Sequence, residues 1–169
     1  MVTEKYSIRP TQPDDWRELR ALRIEMLRDT PLAFGETVQD ALAHTEAEWR
    51  MRGARGTAPH GIAVVAIDLD GRWVGTMGGY VPDPGTGALL VGVYVSPQHR
   101  GREAGVFDRL LRTIEDWART EGDTLTLHVH EDNARARAAY LRRGFVETGT
   151  RLPYVLDSSA MEIEMVKPL

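Results

Sequence analysis

The sequence predicts a mixed α/β fold in which helices cover the faces of one sheet. Apolar residues recur at every second position in some segments and at helical spacing in others, which indicates strands and helices respectively. These segments follow the order of several strands, then strand, helix, strand and helix, and finally strands again. The length of 169 residues suits one domain, and no internal repeat or linker-like tract divides it. We therefore expect residues 1–169 to form a single domain.

The first third of the chain is predicted to contain a strand and two helices. Residues 6–9 read as a short strand, and Pro13-Asp14-Asp15 opens a helix because proline and carboxylates favour a helix N-terminus. Residues 30–37 break this helix, and Thr45 with Glu48 resembles a capping box at the start of a second one. The apolar face of the first helix comprises Trp16, Leu19, Leu22, Met26 and Leu27.

The rest of the chain alternates between strands and helices. Residues 62–67 and 73–80 are strand-like runs joined by the Asp70-Gly71 turn signal, and residues 88–95 are almost continuously apolar, as in a strand covered on both faces. The longest amphipathic helix follows, with apolar positions at Val106, Phe107, Leu110, Leu111, Ile114, Trp117 and Ala118. The remaining elements are predicted as a strand at 125–129, a helix at 133–143 stopped by Gly144, and strands at 145–150 and 160–166.

Composition narrows the classes of function. The formal net charge of −4 offers no general attraction to nucleic acid or to an anionic membrane. The absence of cysteine removes disulfides, thiolate metal sites and a cysteine nucleophile. The first residues lack an apolar signal core and no apolar run has the length of a membrane span, so we expect a cytoplasmic protein.

The segment from Val93 to Gly105 is the first candidate site, because it runs from an apolar strand through a glycine-bearing turn into a helix. Such a junction directs several main-chain N–H groups toward one point at the positive end of the helix, a geometry that binds diphosphate. The glycines allow a ligand to approach the backbone, and Arg100 and Arg102 add positive charge. The alternative is an ordinary loop with solvated arginines.

The segment from Leu127 to Phe145 is the second candidate site. If a helix begins near Asn133, then Asn133 and Tyr140 are two turns apart and share one face, separated by about 10 Å. The alanines between them keep this helix thin, so that an extended ligand can lie against it. Alternatively, Asn133 is only an N-cap and Tyr140 only a core aromatic.

Together, in this order and at this separation, the two segments resemble the GNAT superfamily of acyl-CoA-dependent N-acetyltransferases. The second segment completes the family pattern L-x-V-x-x-x-N-x-x-A-x-x-x-Y-x-x-x-G-F. The first follows V-x-P-x-x-[QR]-x-x-G-x-[GA] except at the middle glycine, where this chain has Glu103. A carboxylate there weakens affinity for CoA if it points inward, whereas in a first helical turn it points to solvent and interacts well with the dipole.

The resemblance covers residues 88–146 and implies both a fold and an activity. The implied fold is a largely antiparallel, twisted sheet of six to seven strands with about four helices, splayed between the fourth and fifth strands. The implied activity is direct transfer of an acetyl group from acetyl-CoA to a primary amine of a small molecule or a peptide N-terminus, without a metal. The implied cofactor-binding residues are Val93, Tyr94, Val95, Arg100, Gly101, Arg102, Glu103, Ala104, Gly105, Asn133, Ala136 and Tyr140.

The resemblance also assigns roles in catalysis. The pantetheine of acetyl-CoA pairs with the backbone of residues 93–95, and an N–H near Tyr94 or Val95 stabilises the developing oxyanion. Tyr140 is the general acid that protonates the departing thiolate, and Asn133 hydrogen-bonds the pantetheine or the neighbouring backbone. His128 is the first candidate for the base, because histidine is the residue type best suited to exchange a proton near neutral pH.

The acceptor side is less defined by the resemblance. Glu36 is the reserve candidate for the base, and Phe34 and Tyr154 either shape the amine pocket or pack as ordinary core residues. The resemblance allows a homodimer and leaves the identity of the amine open.

Other classes of function fit the sequence less well. His128 and His130, followed by two carboxylates, lack a third metal ligand at a recognisable spacing. The chain has neither a phosphate-binding loop with lysine nor a Gly-x-Ser-x-Gly nucleophile. The remaining alternative is a non-catalytic acyl-CoA-binding sensor or interaction module on the same fold, because a fold alone does not establish activity.

Overall fold

The computed structural model describes residues 4–169, and within them the chain forms one seven-stranded sheet. The strands are β1 (Tyr6–Pro10), β2 (Gly61–Asp68), β3 (Trp73–Tyr80), β4 (Ala88–Val95), β5 (Thr124–His130), β6 (Val146–Tyr154) and β7 (Asp157–Pro168). Their order in the sheet is β1-β2-β3-β4-β5-β7-β6. The predicted fold class is confirmed.

Five α-helices occur in the described residues, one more than the four or so expected. They are α1 (Trp16–Asp29), α2 (Val38–Ala43), α3 (Glu46–Gly53), α4 (Val106–Glu121) and α5 (Ala134–Leu141). The additional helix is α2, which Thr37 and Asp40 close with reciprocal hydrogen bonds of 3.1 and 3.2 Å. The predicted capping box is confirmed, since Thr45 and Glu48 close the N-terminus of α3 in the same way.

The parallel pair β4–β5 opens the sheet at its centre. All other neighbouring strands are antiparallel, whereas β4 and β5 pair only at Ala88 with Leu125 and at Leu89 with Thr126. Beyond Leu89, the edge of β4 that faces β5 has no strand partner. The predicted splay between the fourth and fifth strands is therefore confirmed.

A β-bulge lies in β4 just where this strand leaves β5. Thr76 pairs with Tyr94 and Gly78 with Val91, so that β4 carries one residue more than β3 across this interval. Gly92 has a φ of +61°, which glycine adopts without steric penalty. The bulge changes which β4 residues direct their N–H groups toward the opening.

Two apolar cores lie on opposite faces of the sheet. The larger core packs α4 against the central strands, and Val106, Leu110 and Ile114 are completely buried in it. The second core joins α1 and α3 to the other face through Met26, Trp49 and the ring of Tyr94. No helix among residues 4–169 is long and apolar enough to cross a lipid bilayer.

Candidate active site

A cleft of about 550 Å³ occupies the opening between β4 and β5. The predicted site residues that line it are Phe34, Val93, Tyr94, Val95, Arg100, Gly101, Arg102, His128, Asn133, Ala136 and Tyr140. Five other predicted residues do not line the cleft: Glu36, Glu103, Ala104, Gly105 and Tyr154. The structure thus brings both candidate segments to one cavity.

The edge of β4 supplies main-chain groups to this cleft. The N–H of Ser96 donates to the carbonyl of Val74 on β3 at 2.8 Å. Because successive residues of a strand direct their N–H groups to opposite sides, the N–H groups of Val93 and Val95 face the opening instead. The carbonyl of Val95 accepts a hydrogen bond of 2.8 Å from Arg100 Nε, while the N–H of Val95 has no strand partner. Of the two predicted oxyanion donors, Val95 has the suitable direction.

The turn before α4 leaves helix N–H groups without side-chain partners. Gly101 and Gly105 have φ values of +105° and +69°, and the hydroxyl of Tyr6 fixes the turn by donating to the carbonyl of Ala104 at 2.9 Å. Gly105 is the N-cap residue of α4 and offers no side-chain oxygen. The first-turn N–H groups therefore remain available to an anion.

Glu103 lies in this turn and is exposed. Because α4 begins only at Val106, Glu103 precedes the first helical turn in which the sequence placed it. Its side chain does not line the cleft. The structure therefore places this carboxylate toward solvent.

The two arginines of the turn differ in their surroundings. Arg100 is held by the carbonyl of Val95 and by the carboxylate of Asp29, so that it fastens the turn to the C-terminal end of α1. Arg102 is exposed, lines the cleft and has no hydrogen bond to another described residue. Of these two, Arg102 is therefore the cation available to a phosphate.

Asn133 combines both roles that its sequence position allowed. Its Oδ1 accepts a hydrogen bond of 3.2 Å from the N–H of Ala136 and caps α5. Asn133 also lines the cleft, and its amide nitrogen donates to no other residue among 4–169, so that it can donate to a ligand. The helix cap thus orients the donor.

Tyr140 is likewise both a core residue and part of the cleft wall. Its side chain is only 7% exposed and packs against Phe107 and Phe145, with ring centroids 6.2 and 5.5 Å away. Burial raises the pKa of the Tyr140 hydroxyl well above its ordinary value. The phenol therefore keeps its proton at neutral pH and is available as a hydrogen-bond donor or acid.

His128 lies on the other wall of the cleft, beside a carboxylate of β7. Its Nε2 is 3.1 Å from Oε2 of Glu164, whose other oxygen accepts a hydrogen bond of 2.9 Å from Thr148. The neighbouring His130 is buried, and its Nδ1 accepts the N–H of Asp132 at 3.0 Å. No group of three or more metal-ligating side chains occurs in the described part of the chain.

The loop after α1 closes one end of the cleft. The hydroxyl of Tyr154 donates to the carbonyl of Phe34 at 2.7 Å, and the ring of Tyr154 packs edge-on against His130 at 4.7 Å. Tyr154 therefore shapes this end indirectly, by holding the loop, whereas Phe34 lines the cavity itself.

Glu36 is the centre of an ion cluster behind that loop. It accepts hydrogen bonds from Arg23 and Arg52, at 2.8 Å from each, and lies 2.6 Å from Nε2 of His44. Burial by itself would raise the pKa of Glu36, but the hydrogen bonds from these partners outweigh it and lower the pKa to about 2. A carboxylate with this pKa is a weak base, which favours His128 over Glu36.

Comparison with known proteins identifies the family. Residues 19–145 match the model of the Acetyltransferase (GNAT) family. The chain belongs to this family. The match includes β4, the turn before α4 and all of α5, which are the elements that build the cleft.

Individual proteins agree with this assignment. A mycothiol acetyltransferase of Beutenbergia cavernae is 32% identical in an alignment of 153 residues that covers 74% of this chain and 50% of that protein. The GNAT chain therefore spans about half the length of this curated relative. A GCN5-related N-acetyltransferase from Kribbella flavida superposes with a TM-score of 0.73 at 24% identity, covering 98% of this chain and 99% of that one. A phosphinothricin acetyltransferase from Sinorhizobium meliloti, solved with AcCoA, superposes with a TM-score of 0.75 at 19% identity. The superposition covers 98% of this chain and 89% of that one. These two likenesses show a shared fold.

Several residues in or beside the cleft of this GNAT chain were not predicted from the sequence. Arg135 lines the cleft from α5 and Arg142 from the C-cap of that helix, and the repeated arginines of this segment were the available signal. Glu162 and Glu164 follow the alternation of β7 and lie opposite His130 and His128 in the register. Arg23 on α1 gave no signal, because only folding brings it beside Phe34.

Proposed function

We propose that this chain is an acetyl-CoA-dependent N-acetyltransferase that moves an acetyl group by direct transfer onto a primary amine. One observation carries the proposal: a single cleft has unpaired β4 N–H groups and an uncapped helix N-terminus on one side, and the buried phenol of Tyr140 on the other. The β4 N–H groups and the helix N-terminus bind acetyl-CoA, and the phenol protonates the leaving thiolate.

The residues present suit acetyl-CoA, which supplies the acetyl group as an activated thioester. The N–H groups at the start of α4, together with Arg102, match the charge of a diphosphate. Val93 and Val95 present strand-like N–H groups to an amide-containing chain such as pantetheine. The amide nitrogen of Asn133 adds a donor on the facing wall, and Ala136 leaves room beside it.

The same residues account for the chemistry. The N–H of Val95 stabilises negative charge on the carbonyl oxygen under attack. The amine forms the new C–N bond as the C–S bond breaks. Tyr140 Oη gives its proton to the departing sulfur and recovers one from the nitrogen, which loses a proton to become the neutral amide. His128, positioned by Glu164 at 3.1 Å, takes the proton that the ammonium group loses before attack. No covalent enzyme intermediate is required, which agrees with a chain that lacks cysteine.

The relatives support this proposal through their own descriptions. The curated relative is described as a mycothiol acetyltransferase, and one structural neighbour was solved with AcCoA. The alternative is a non-catalytic acyl-CoA-binding sensor on the same fold; the exposed position of Glu103, outside the cleft, gives it no support, and the assay below separates the two.

The proposal extends to organisation. We propose that residues 1–169 act as one N-acetyltransferase domain, in the cytoplasm, where a donor such as acetyl-CoA is available. A homodimer is compatible with this arrangement, and analytical ultracentrifugation of the purified chain tests it.

Release of free thiol from acetyl-CoA tests the function directly. The chain is incubated with acetyl-CoA and a panel of primary amines, and binding of acetyl-CoA is measured separately by calorimetry. We expect amine-dependent thiol release together with an acetylated product of the corresponding mass. Binding without release on every amine would contradict transferase activity and support the sensor.

A further inference from the structure

The acceptor end of the cleft contains two opposite charges that the proposed mechanism does not use. Arg23 lines the cleft from α1, and Glu162 lines it from β7. Both side chains are partly buried. Arg23 shares its carboxylate partner with another arginine, and Glu162 has no partner among the described residues. Because partly buried charges that are incompletely paired are unfavourable, their placement in one cavity points to a ligand that carries the complementary charges.

Arg23 has unused hydrogen-bonding capacity. Its Nε donates to Glu36 at 2.8 Å, whereas its two terminal nitrogens donate to no other described residue. Glu36 also forms an ion pair with Arg52, so that one carboxylate neutralises two guanidinium groups only in part. Burial lowers the pKa of Arg23, yet a guanidinium remains charged at neutral pH. The cluster therefore holds an excess of positive charge at the cleft.

Glu162 is the complementary group. Its carboxylate has no hydrogen bond or ion pair with the part of the chain that the structure describes, although it is partly buried. It lies on β7 directly opposite His130 and one alternation away from Glu164, the partner of His128. A carboxylate in this position attracts an ammonium group toward the proposed base.

A short chain of contacts places the two charges at the same end of the cavity. The guanidinium of Arg23 lies over the ring of Phe34 at 4.8 Å, and the carbonyl of Phe34 accepts the hydroxyl of Tyr154 at 2.7 Å. The ring of Tyr154 packs on His130 at 4.7 Å, beside the strand that carries Glu162. Both charges therefore belong to the part of the cleft that adjoins the loop after α1.

We infer that the acceptor is a small amine that also carries an anionic group, with Arg23 binding the anion and Glu162 binding the ammonium group. A guanidinium presents two parallel N–H donors from its terminal nitrogens and binds a carboxylate or a phosphorus oxyanion equally well. A polyamine lacks the group that Arg23 binds. The inference rests on the proposed function, because it names the class of amine that the transferase uses.

Matched pairs of acceptors test this inference. The probes are L-amino acids, their C-terminal amides and the corresponding aminophosphonates, assayed by thiol release from acetyl-CoA. We expect at least one acid to exceed its amide in kcat/KM by about tenfold to a hundredfold, the effect of a charge-assisted hydrogen bond. The aminophosphonate arm then distinguishes a carboxylate from a phosphorus oxyanion as the preferred anion.

Substitutions locate the selectivity. Arg23→Gln should raise KM for the acid about tenfold or more and leave KM for the amide and for acetyl-CoA within about twofold. Arg52→Gln is the matched control, because Arg52 bonds the same Glu36 carboxylate but does not line the cleft. Glu162→Gln should raise KM for the acid and the amide alike, since both present the same ammonium group. If Arg23→Gln does not fold, Arg23→Lys keeps the charge and should lose only part of the selectivity.

The outcomes separate the two proposals. If plain amines or amides supported thiol release with a kcat/KM at least equal to that of the acids, the inference would be overturned. The transferase proposal would still stand. If Arg23→Gln raised KM equally for the acid and for the amide, Arg23 would have only a structural role. Absence of thiol release with every probe would instead contradict the transferase itself.

Discussion

The two ends of the cleft present different kinds of group to the donor and the acceptor that we propose. The donor end presents mainly backbone: the edge of β4, the glycine turn and the uncapped start of α4, followed by the thin helix α5. The acceptor end presents charged side chains from α1, β5 and β7, braced by the Glu36 cluster and by Tyr154. Backbone recognition persists when side chains vary, whereas side-chain recognition changes with each substitution. A common donor and a particular acceptor can therefore be served by one fold.

The largest expected effect concerns Tyr140, which stands between the two ends. Tyr140→Phe removes the proton donor but keeps the packing against Phe107 and Phe145. We expect kcat to fall about 10²- to 10³-fold, with the Kd for acetyl-CoA changed less than about twofold. Steady-state kinetics and calorimetry give the two values. Tyr80→Phe, at a tyrosine that is 45% exposed and outside the cleft, is the control and should retain full activity.

The second prediction asks whether only the acceptor end depends on charge for its stability. The folded-state pKa of Glu36 is about 2, below the ordinary value of 4.5. Its contribution is therefore fully present above about pH 4.5 and is lost as the pH falls toward 2. Glu36→Gln should lower the free energy of unfolding by about 3 kcal/mol at pH 7 and remove that part of the acid dependence.

Denaturant titrations of wild type and Glu36→Gln between pH 7 and pH 3 check this expectation. Asp14→Asn provides the comparison, because Asp14 forms an exposed ion pair with Arg50 and should change stability little. Equal acid sensitivity in wild type and Glu36→Gln would mean that the cluster does not stabilise the loop. The Kd for acetyl-CoA should be unaffected, since Glu36 does not line the cleft.

The third prediction tests whether the donor end binds its ligand through the turn. Gly101→Asp and Gly101→Asn impose the same backbone strain at a φ of +105° and differ mainly in charge. We expect the Asp variant to bind acetyl-CoA about tenfold more weakly than the Asn variant, because the carboxylate repels the diphosphate. Calorimetry at two salt concentrations measures the difference, which should shrink at high salt. Identical affinities would place the diphosphate elsewhere.

The smallest effect is expected at Glu103, two residues further along the turn. Glu103→Gln should change the Kd for acetyl-CoA by less than about twofold, since the side chain is exposed, lies outside the cleft and is screened by solvent. A marked gain in affinity in Glu103→Gln would show that this carboxylate weakens the binding of acetyl-CoA. Thermal melting of the same variant controls for altered folding.

Local patterns in the sequence were sufficient to predict most of the donor end. The periodicity of residues 88–95 and 106–118 marks β4 and α4 directly, because the spacing of buried side chains follows from backbone geometry. The capping box at Thr45 was readable because it involves residues only three positions apart. Each of the two motif segments is an unbroken stretch of sequence on one element and its adjoining turn, and residues of both segments line the cleft. The short helix α2 and the bulge at Gly92 were not predicted, since brief capping and register signals are weak without their neighbours.

By itself, the sequence determined the order of strands and helices, the splay that the family resemblance implies, and the placement of Asn133 and Tyr140 on one face of α5. Only the tertiary structure decided that Arg100 fastens the turn to α1 and that Glu36 is held by arginines. The same holds for Arg23 and Glu162, which enter one cavity from opposite ends of the chain. The physical reason is that periodicity and motifs report contacts between near neighbours along the chain. Charge pairing at the acceptor end depends instead on distances that exist only once the sheet and α1 have packed together.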